Sequence, residues 1–225
     1  MIRNERLRLA VAVAALVAPV RVRRLLLTGL LGYDIASDAA VGRSLITVGQ
    51  LVMGPGASIG SLNLFRHVDR VEMHAGASIG HLNWVSAARR SRGYFPRLDR
   101  RPSLVMRERS AITHRHYVDC CDRVEVGELS IVAGMHSQIL THGINVADGT
   151  LMAAPVRIGD RALVCSGAIL VPGAVVPSRS VVGAGAVVKG ALPEECTLYT
   201  GPSATARRTL GPAGRYFTRE DAHLY

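Results

Sequence analysis

From Ile158 to Val188 every sixth residue is aliphatic: Ile158, Val164, Leu170, Val176, Val182 and Val188. Four residues after each of the first five stands a small side chain: Ala162, Ala168, Ala174, Ser180 and Ala186. A helical period of 3.6 or a strand period of 2 cannot produce both regularities. Strands broken by a turn every six residues cannot pair with their sequence neighbours, so each must pair with a strand one full coil later. With three strands per coil of about 18 residues, the chain winds into a triangular prism whose coils stack at about 4.8 Å. The aliphatic residue of each hexad fills the prism and the small one fits a crowded corner. The composition suits such a core: the 225 residues include 23 Gly, aromatics are 4%, and 48% hydrophobic residues exclude a mainly disordered chain.

The same phase recurs upstream at Ile35, Val41, Thr47, Met53, Ile59, Phe65 and Val71, then slips by two to Met73, Ile79 and Val85. GASIG occurs at Gly56 to Gly60 and again at Gly76 to Gly80, each followed by an asparagine, Asn63 and Asn83. That 20-residue offset is one coil plus a two-residue bulge. The pattern resumes at Ile112, Val118 and Val124, and again at Val126, Val132, Gln138 and Ile144. Residues 33–200 therefore read as one all-β solenoid, a parallel β-helix, with a helical segment over 1–32 and a cap or tail over 201–225.

Two interruptions break the repeat, and loops are where a solenoid usually carries function. Residues 86–103 hold Arg89, Arg90, Arg92, Arg97, Arg100 and Arg101 against one acid, Asp99, and read as a protruding basic loop, either an anion-binding surface or a solvated one. Residues 143–155 follow His142 directly.

Lys+Arg 27 against Asp+Glu 17 gives a net charge of +10, and Lys189 is the only lysine. Such an excess suits an acidic polysaccharide, a phosphate-bearing cofactor or anionic lipid. No aromatic-studded RNA motif, zinc-finger spacing or helix-turn-helix pattern accompanies it, so nucleic acid is not expected. Cys120, Cys121, Cys165 and Cys196 form no CxxC pair and suit a reducing, cytoplasmic setting. The apolar run Leu9 to Val20 is too short to span a bilayer. Pro19 and the arginines after it replace a leader cleavage site, so short helices are expected. Leu25, Leu26, Leu27, Leu30 and Leu31, beside basic residues, could rest on a membrane surface or pack on the main domain.

The stretch Thr141-His142, a loop, then PVRIGDRALVCSGAILVPGAVVPSRSVVGAGAVVKGALP and GPSA resembles hexapeptide-repeat O-acetyltransferases of the maltose, galactoside and xenobiotic type, in particular their exopolysaccharide-cluster members. The resemblance covers Ile131 to Arg208 closely and Leu26 to Val85 loosely. It implies a left-handed β-helix, a homotrimer with sites between subunits, acetyl-CoA as donor, no metal, and a sugar or polysaccharide precursor as acceptor.

Transfer from a thioester to a sugar hydroxyl needs a base that is neutral near pH 7, which histidine supplies. The resemblance puts His142 in that role. Asn145 stands where exopolysaccharide relatives carry aspartate, leaving the group that orients His142 open. Asn83 is the nominee for the oxyanion donor, the other reading being a stacked internal asparagine. For coenzyme A, Ser166, Gly167, Ala184 and Gly185 would leave backbone open to the pantetheine arm, with Lys189, Arg207 and Arg208 near its phosphates. Two further classes stay open. One is a zinc enzyme resembling gamma-type carbonic anhydrases, drawing on His114, His116, His136 and His142; the other is a catalytically silent β-helix scaffold.

Overall fold

A computed structural model describes residues 4–88, Phe95 and residues 99–201. Among them, 22 of the 24 short strands pair in parallel one coil apart, in three sheets of seven, eight and seven strands that form the faces of a prism. One further antiparallel pair lies outside these sheets.

The hexad residues point inward. Ile158, Val164, Leu170, Val176 and Val182 are fully buried and Val188 nearly so. They stack 18 residues apart, Ile158 on Val176, Val164 on Val182 and Leu170 on Val188. Met53 lies on Met73 and Ile59 on Ile79, the 20-residue coil that the slip in phase announces. Ala162, Ala168, Ala174, Ser180 and Ala186 are buried at the corners. At Gly60 and Gly80 an added Cβ would meet the carbonyl of the next coil at 2.3 and 2.2 Å, so these corners admit only glycine.

Three hexad assignments shift. The inward residues are Ile46 and Ile139, not Thr47 and Gln138, because the corner before Ile46, residues 42–44, is one residue short and the corner before Ile139, residues 133–137, carries one extra. Ile144 is not in the prism: it sits on a projecting hairpin, 39% exposed.

At the edge between the second and third sheets, Ser44, Asn63, Asn83, His116 and Ser137 form a buried polar ladder. Asn63 donates to Ser44 Oγ at 3.1 Å and to the Gly80 carbonyl at 2.7 Å. Asn83 Nδ2 donates to Asn63 Oδ1 at 3.1 Å and to the Thr113 carbonyl at 2.9 Å, while its Oδ1 accepts the His116 N–H at 2.9 Å. His116 Nδ1 accepts the Ser137 N–H at 3.2 Å. Each rung satisfies polar groups that a wholly apolar corner would strand.

Burial lowers His116 to a pKa of about 4, against the Gly134 carbonyl and with help from His114 and His136. A depressed histidine stabilises the fold fully above the unfolded value near 6.5, and that contribution drains away as pH falls toward 4, in total on the order of 3 kcal/mol. Denaturant midpoints at pH 7 and pH 4.5 should therefore diverge more for the native protein than for His116→Asn.

The N-terminal segment closes the first coil. Asn4 caps α1 (Glu5–Val17) by accepting the Arg6 and Leu7 N–H groups; Pro19 separates it from α2 (Val20–Leu25), which runs into a π-helical turn, Leu26–Leu30. Arg23 is buried and donates to the carbonyls of Ala15, Val41 and Ala18, and Arg24 to those of Ala39, Ile35 and Ala36. The expected membrane stripe is thus split: Leu27 and Leu31 are core residues, and Arg23 and Arg24 turn inward to satisfy carbonyls of the terminal coil, leaving Leu25 and Leu30 exposed. Among the described residues no helix is long and apolar enough to cross a membrane. The 201–225 segment lies outside the described residues beyond Gly201.

Candidate active site

The decisive side chains meet at the edge where the third sheet turns into the first. Gln138–Ile139 ends the third-sheet strand of the fifth coil; Thr141 then turns the corner, and the chain leaves the prism as the antiparallel hairpin His142–Asn145 with Thr150–Ala153. One coil earlier the strand Tyr117–Asp119 stops at the same edge. Stacking therefore places Asp119 beside His142 although 23 residues separate them.

Asp119 is almost wholly buried, and each carboxylate oxygen is used. Oδ1 accepts the Cys121 N–H at 3.1 Å. Oδ2 accepts the backbone N–H groups of Thr141 and His142 at 2.9 and 3.0 Å and lies 2.6 Å from His142 Nδ1. Burial alone would raise this carboxyl, but the bonds from His142, Cys121 and Thr141 outweigh it and hold the group below its usual range. It is an anion at neutral pH, so Nδ1 of His142 carries the proton and Nε2 presents a lone pair.

The His142 side chain is 38% exposed, and no described residue bonds Nε2. Its pKa is raised, chiefly by the hydrogen bond to Asp119, with burial and the Arg100 charge opposing. A carboxylate behind one nitrogen and an open lone pair at the other is the arrangement of a general base. The sequence left the partner of His142 open; the group bonded to its Nδ1 is the Asp119 carboxylate. Asn145 instead bonds within the hairpin, donating to Asp148 at 2.6 Å. The available signal was one acid in the otherwise uncharged strand Tyr117-Val118-Asp119, one coil before Thr141-His142.

The other expected site residues separate into groups. Asn83 is interior, 1% exposed, with both amide hydrogens engaged in the ladder, and so has no donor to offer an oxyanion; the stacked-asparagine reading fits, the catalytic one does not. Ser166, Gly167, Ala184 and Gly185 do come together. They stack at the edge between the second and third sheets, with the Gly185 N–H bonded to the Ser166 carbonyl at 3.0 Å and open space beside Gly185. The width of the third sheet separates them from His142 within one chain. Lys189 is exposed on the His142 edge, two coils further along. Arg207 and Arg208 lie outside the described residues.

The basic interruption is not simply a protrusion. Ala87, Phe95 and Arg100 are buried against the His142 edge because Arg100 finds carbonyl partners there, whereas Arg101 is exposed. Arg89, Arg90, Arg92 and Arg97 lie outside the described residues.

The histidines of the zinc reading do not converge. His116 is interior, His114 stacks on His81 with ring centroids 5.3 Å apart, and His136 is exposed on the opposite edge from His142. Among the described residues, three metal-ligating atoms approach one another only at Asp119, Cys121 and His142, within 4.8 Å. The 2.6 Å between Nδ1 and Oδ2 is a hydrogen-bond distance, shorter than the roughly 3.3 Å between neighbouring ligands that bonds of about 2.0 Å to a tetrahedral zinc impose. Burial and the adjacent Asp119 carboxylate push the Cys121 thiol up to about 12, so it stays protonated. This set fits a proton-holding cluster better than a metal centre.

No protein-family model and no curated protein matches the sequence. Among solved structures the chain is similar to the polysialic acid O-acetyltransferase OatWY, with a TM-score of 0.57 over 82% of this chain and 90% of that one at 12% identity. The fold is a left-handed parallel β-helix. Its hand opposes the right-handed rule for parallel crossovers. In this left-handed β-helix the coils place His142 and Asp119 on one edge and the Ser166–Gly185 stack on another, with the width of the third sheet between them.

Proposed function

We propose that the protein is an acetyl-CoA-dependent O-acetyltransferase acting on a sugar hydroxyl, with His142 as general base and Asp119 as the residue that orients it. The observation that carries this reading is the 2.6 Å contact between His142 Nδ1 and the buried Asp119 carboxylate, with Nε2 left open. The likeness of fold to a polysialic acid O-acetyltransferase supports the reaction class.

As the acceptor oxygen attacks the thioester carbonyl, Nε2 takes its proton and the imidazolium is stabilised by Asp119. Collapse of the tetrahedral intermediate breaks the carbon–sulfur bond, and the imidazolium returns the proton to the leaving thiolate. The products are an O-acetyl sugar and free coenzyme A, with no covalent acyl-enzyme. The pantetheine arm lies along the Ser166, Gly167, Ala184 and Gly185 edge, where glycine leaves backbone accessible, and Lys189, on the His142 edge, offers a cation to the phosphates of a coenzyme held by the neighbouring copy. Because that edge and the His142 edge are apart within a chain, the complete site forms between copies, which a homotrimer provides. Acceptors are sugars of a cell-surface polysaccharide or its precursor.

Incubating the protein with radiolabelled acetyl-CoA and a panel of mono- and oligosaccharides tests this. Acceptor-dependent thiol release with alkali-labile label on the sugar is expected. Failure to bind acetyl-CoA, or release indifferent to every acceptor, would contradict it.

A further inference from the structure

We infer that Phe95 and Arg100, carried by the insertion between the third and fourth coils, are positioning residues that hold the His142 imidazole in its working orientation. The inference rests on the reading of His142 as the base. The register shows why an insertion can reach this place: Val71 pairs with Leu104, 33 residues on, where coils such as Val164 to Val182 and Val118 to Ile139 take 18 to 21. The extra chain emerges from the same edge as His142, and part of it folds back.

Phe95 is 5% exposed, and its ring meets His142 edge to face at 87° with centroids 5.9 Å apart. Arg100, also 5% exposed, lays its guanidinium 4.6 Å over the Phe95 ring centroid. It is pinned by donating from Nη1 to the Cys121 carbonyl at 3.0 Å and from Nη2 to the Ala88 carbonyl at 3.2 Å. Cys121 in turn bonds Asp119, the partner of His142. The chain of contacts thus closes on itself, from Asp119 to His142, Phe95, Arg100, Cys121 and back.

Such a closed ring of contacts has a function that either half lacks. The bond at Nδ1 fixes one atom of the imidazole, but the torsion that turns the ring is soft. Phe95 blocks rotation on the side that Asp119 leaves free, in an edge-to-face contact that aromatic quadrupoles favour. Arg100 holds Phe95 by a cation–π contact and adds a positive charge near a ring that must become cationic only transiently. Among the described residues, the ionisable groups facing His142 are Asp119, the protonated Cys121 thiol and Arg100; the paired hairpin strand supplies Ala153, which has no charge.

The test labels histidine with 13C and 15N and follows the His142 titration and tautomer by NMR in the native protein, Phe95→Ala, Phe95→Leu, Arg100→Met and Arg100→Lys, alongside kcat and the acetyl-CoA KM. Arg100→Met should move the titration to higher pH, and Arg100→Lys should move it less. Phe95→Ala should lower kcat about 10- to 100-fold and mix the tautomers, with the acetyl-CoA KM unchanged and Phe95→Leu intermediate. If the variants lose thermal stability but keep the native titration, tautomer and kcat, the insertion is only a packing brace and the inference is overturned. Were the native protein inactive with every acceptor, the proposed reaction would fail, yet the NMR comparison would still decide whether the pair orients the ring.

Discussion

Asp119→Asn is expected to lower kcat by about 10²- to 10⁴-fold while the protein stays folded. An asparagine can offer its amide N–H to Nδ1, which favours the wrong tautomer and leaves Nε2 protonated and useless as a base. The loss should fall on kcat, since Asp119 is buried and touches neither substrate. The pH dependence carries a second signature. Asp119 raises the His142 pKa, so native activity should climb with pH through a value above the ordinary one for histidine. Without the carboxylate the imidazole releases its proton more readily. The acid limb of the variant should therefore lie at lower pH even as its plateau drops. Steady-state rates from pH 5 to 9 check both effects, and a variant with native plateau and native limb would remove Asp119 from the mechanism.

Asn83→Ala should be costly in a different currency. It deletes two donated bonds and the acceptor for the His116 N–H in the interior of the prism. An unsatisfied buried amide together with the cavity costs about 2–4 kcal/mol, which for a chain of this size lowers Tm by roughly 6–12 °C. Turnover by the folded fraction at 25 °C should stay within about two-fold of native, because the ladder lies across the third sheet from His142. A large fall in kcat at native Tm would instead restore Asn83 as an oxyanion donor. Thermal unfolding and initial rates on the same preparation separate the two outcomes.

The contrast between these two residues shows what a solenoid sequence reveals. The prism is legible because each coil repeats one simple demand, an aliphatic side chain every sixth residue with a small one at the corner, and Ile158 to Val188 meets it without exception. Where a corner takes one more residue, as before Ile139, the periodic reading lands one position off, on Gln138. Nothing local signals that extra residue, because the turn is exposed and accepts many side chains.

The site is harder to read because it is assembled by stacking. His142 stands out beside its interrupted repeat, but Asp119 reaches it only through the lateral register of two coils, and the length of the intervening coil sets that register. Asn145, standing where exopolysaccharide relatives carry aspartate, left the partner of His142 open, and the hairpin turns it toward Asp148. The arginines misled for a related reason. Charge counts treat them as solvated, yet Arg23, Arg24 and Arg100 spend their donors on backbone carbonyls at the end and edge of the solenoid, where strands run out of partners.

The central claim is that the open nitrogen of His142 accepts the acceptor's proton. Comparing acetyl transfer by native protein and His142→Ala, with acetyl-CoA affinity measured on both by calorimetry, tests it most directly. A fall in kcat of at least about 100-fold with donor affinity preserved is the expected result. Transfer by His142→Ala within a few-fold of native would contradict the account.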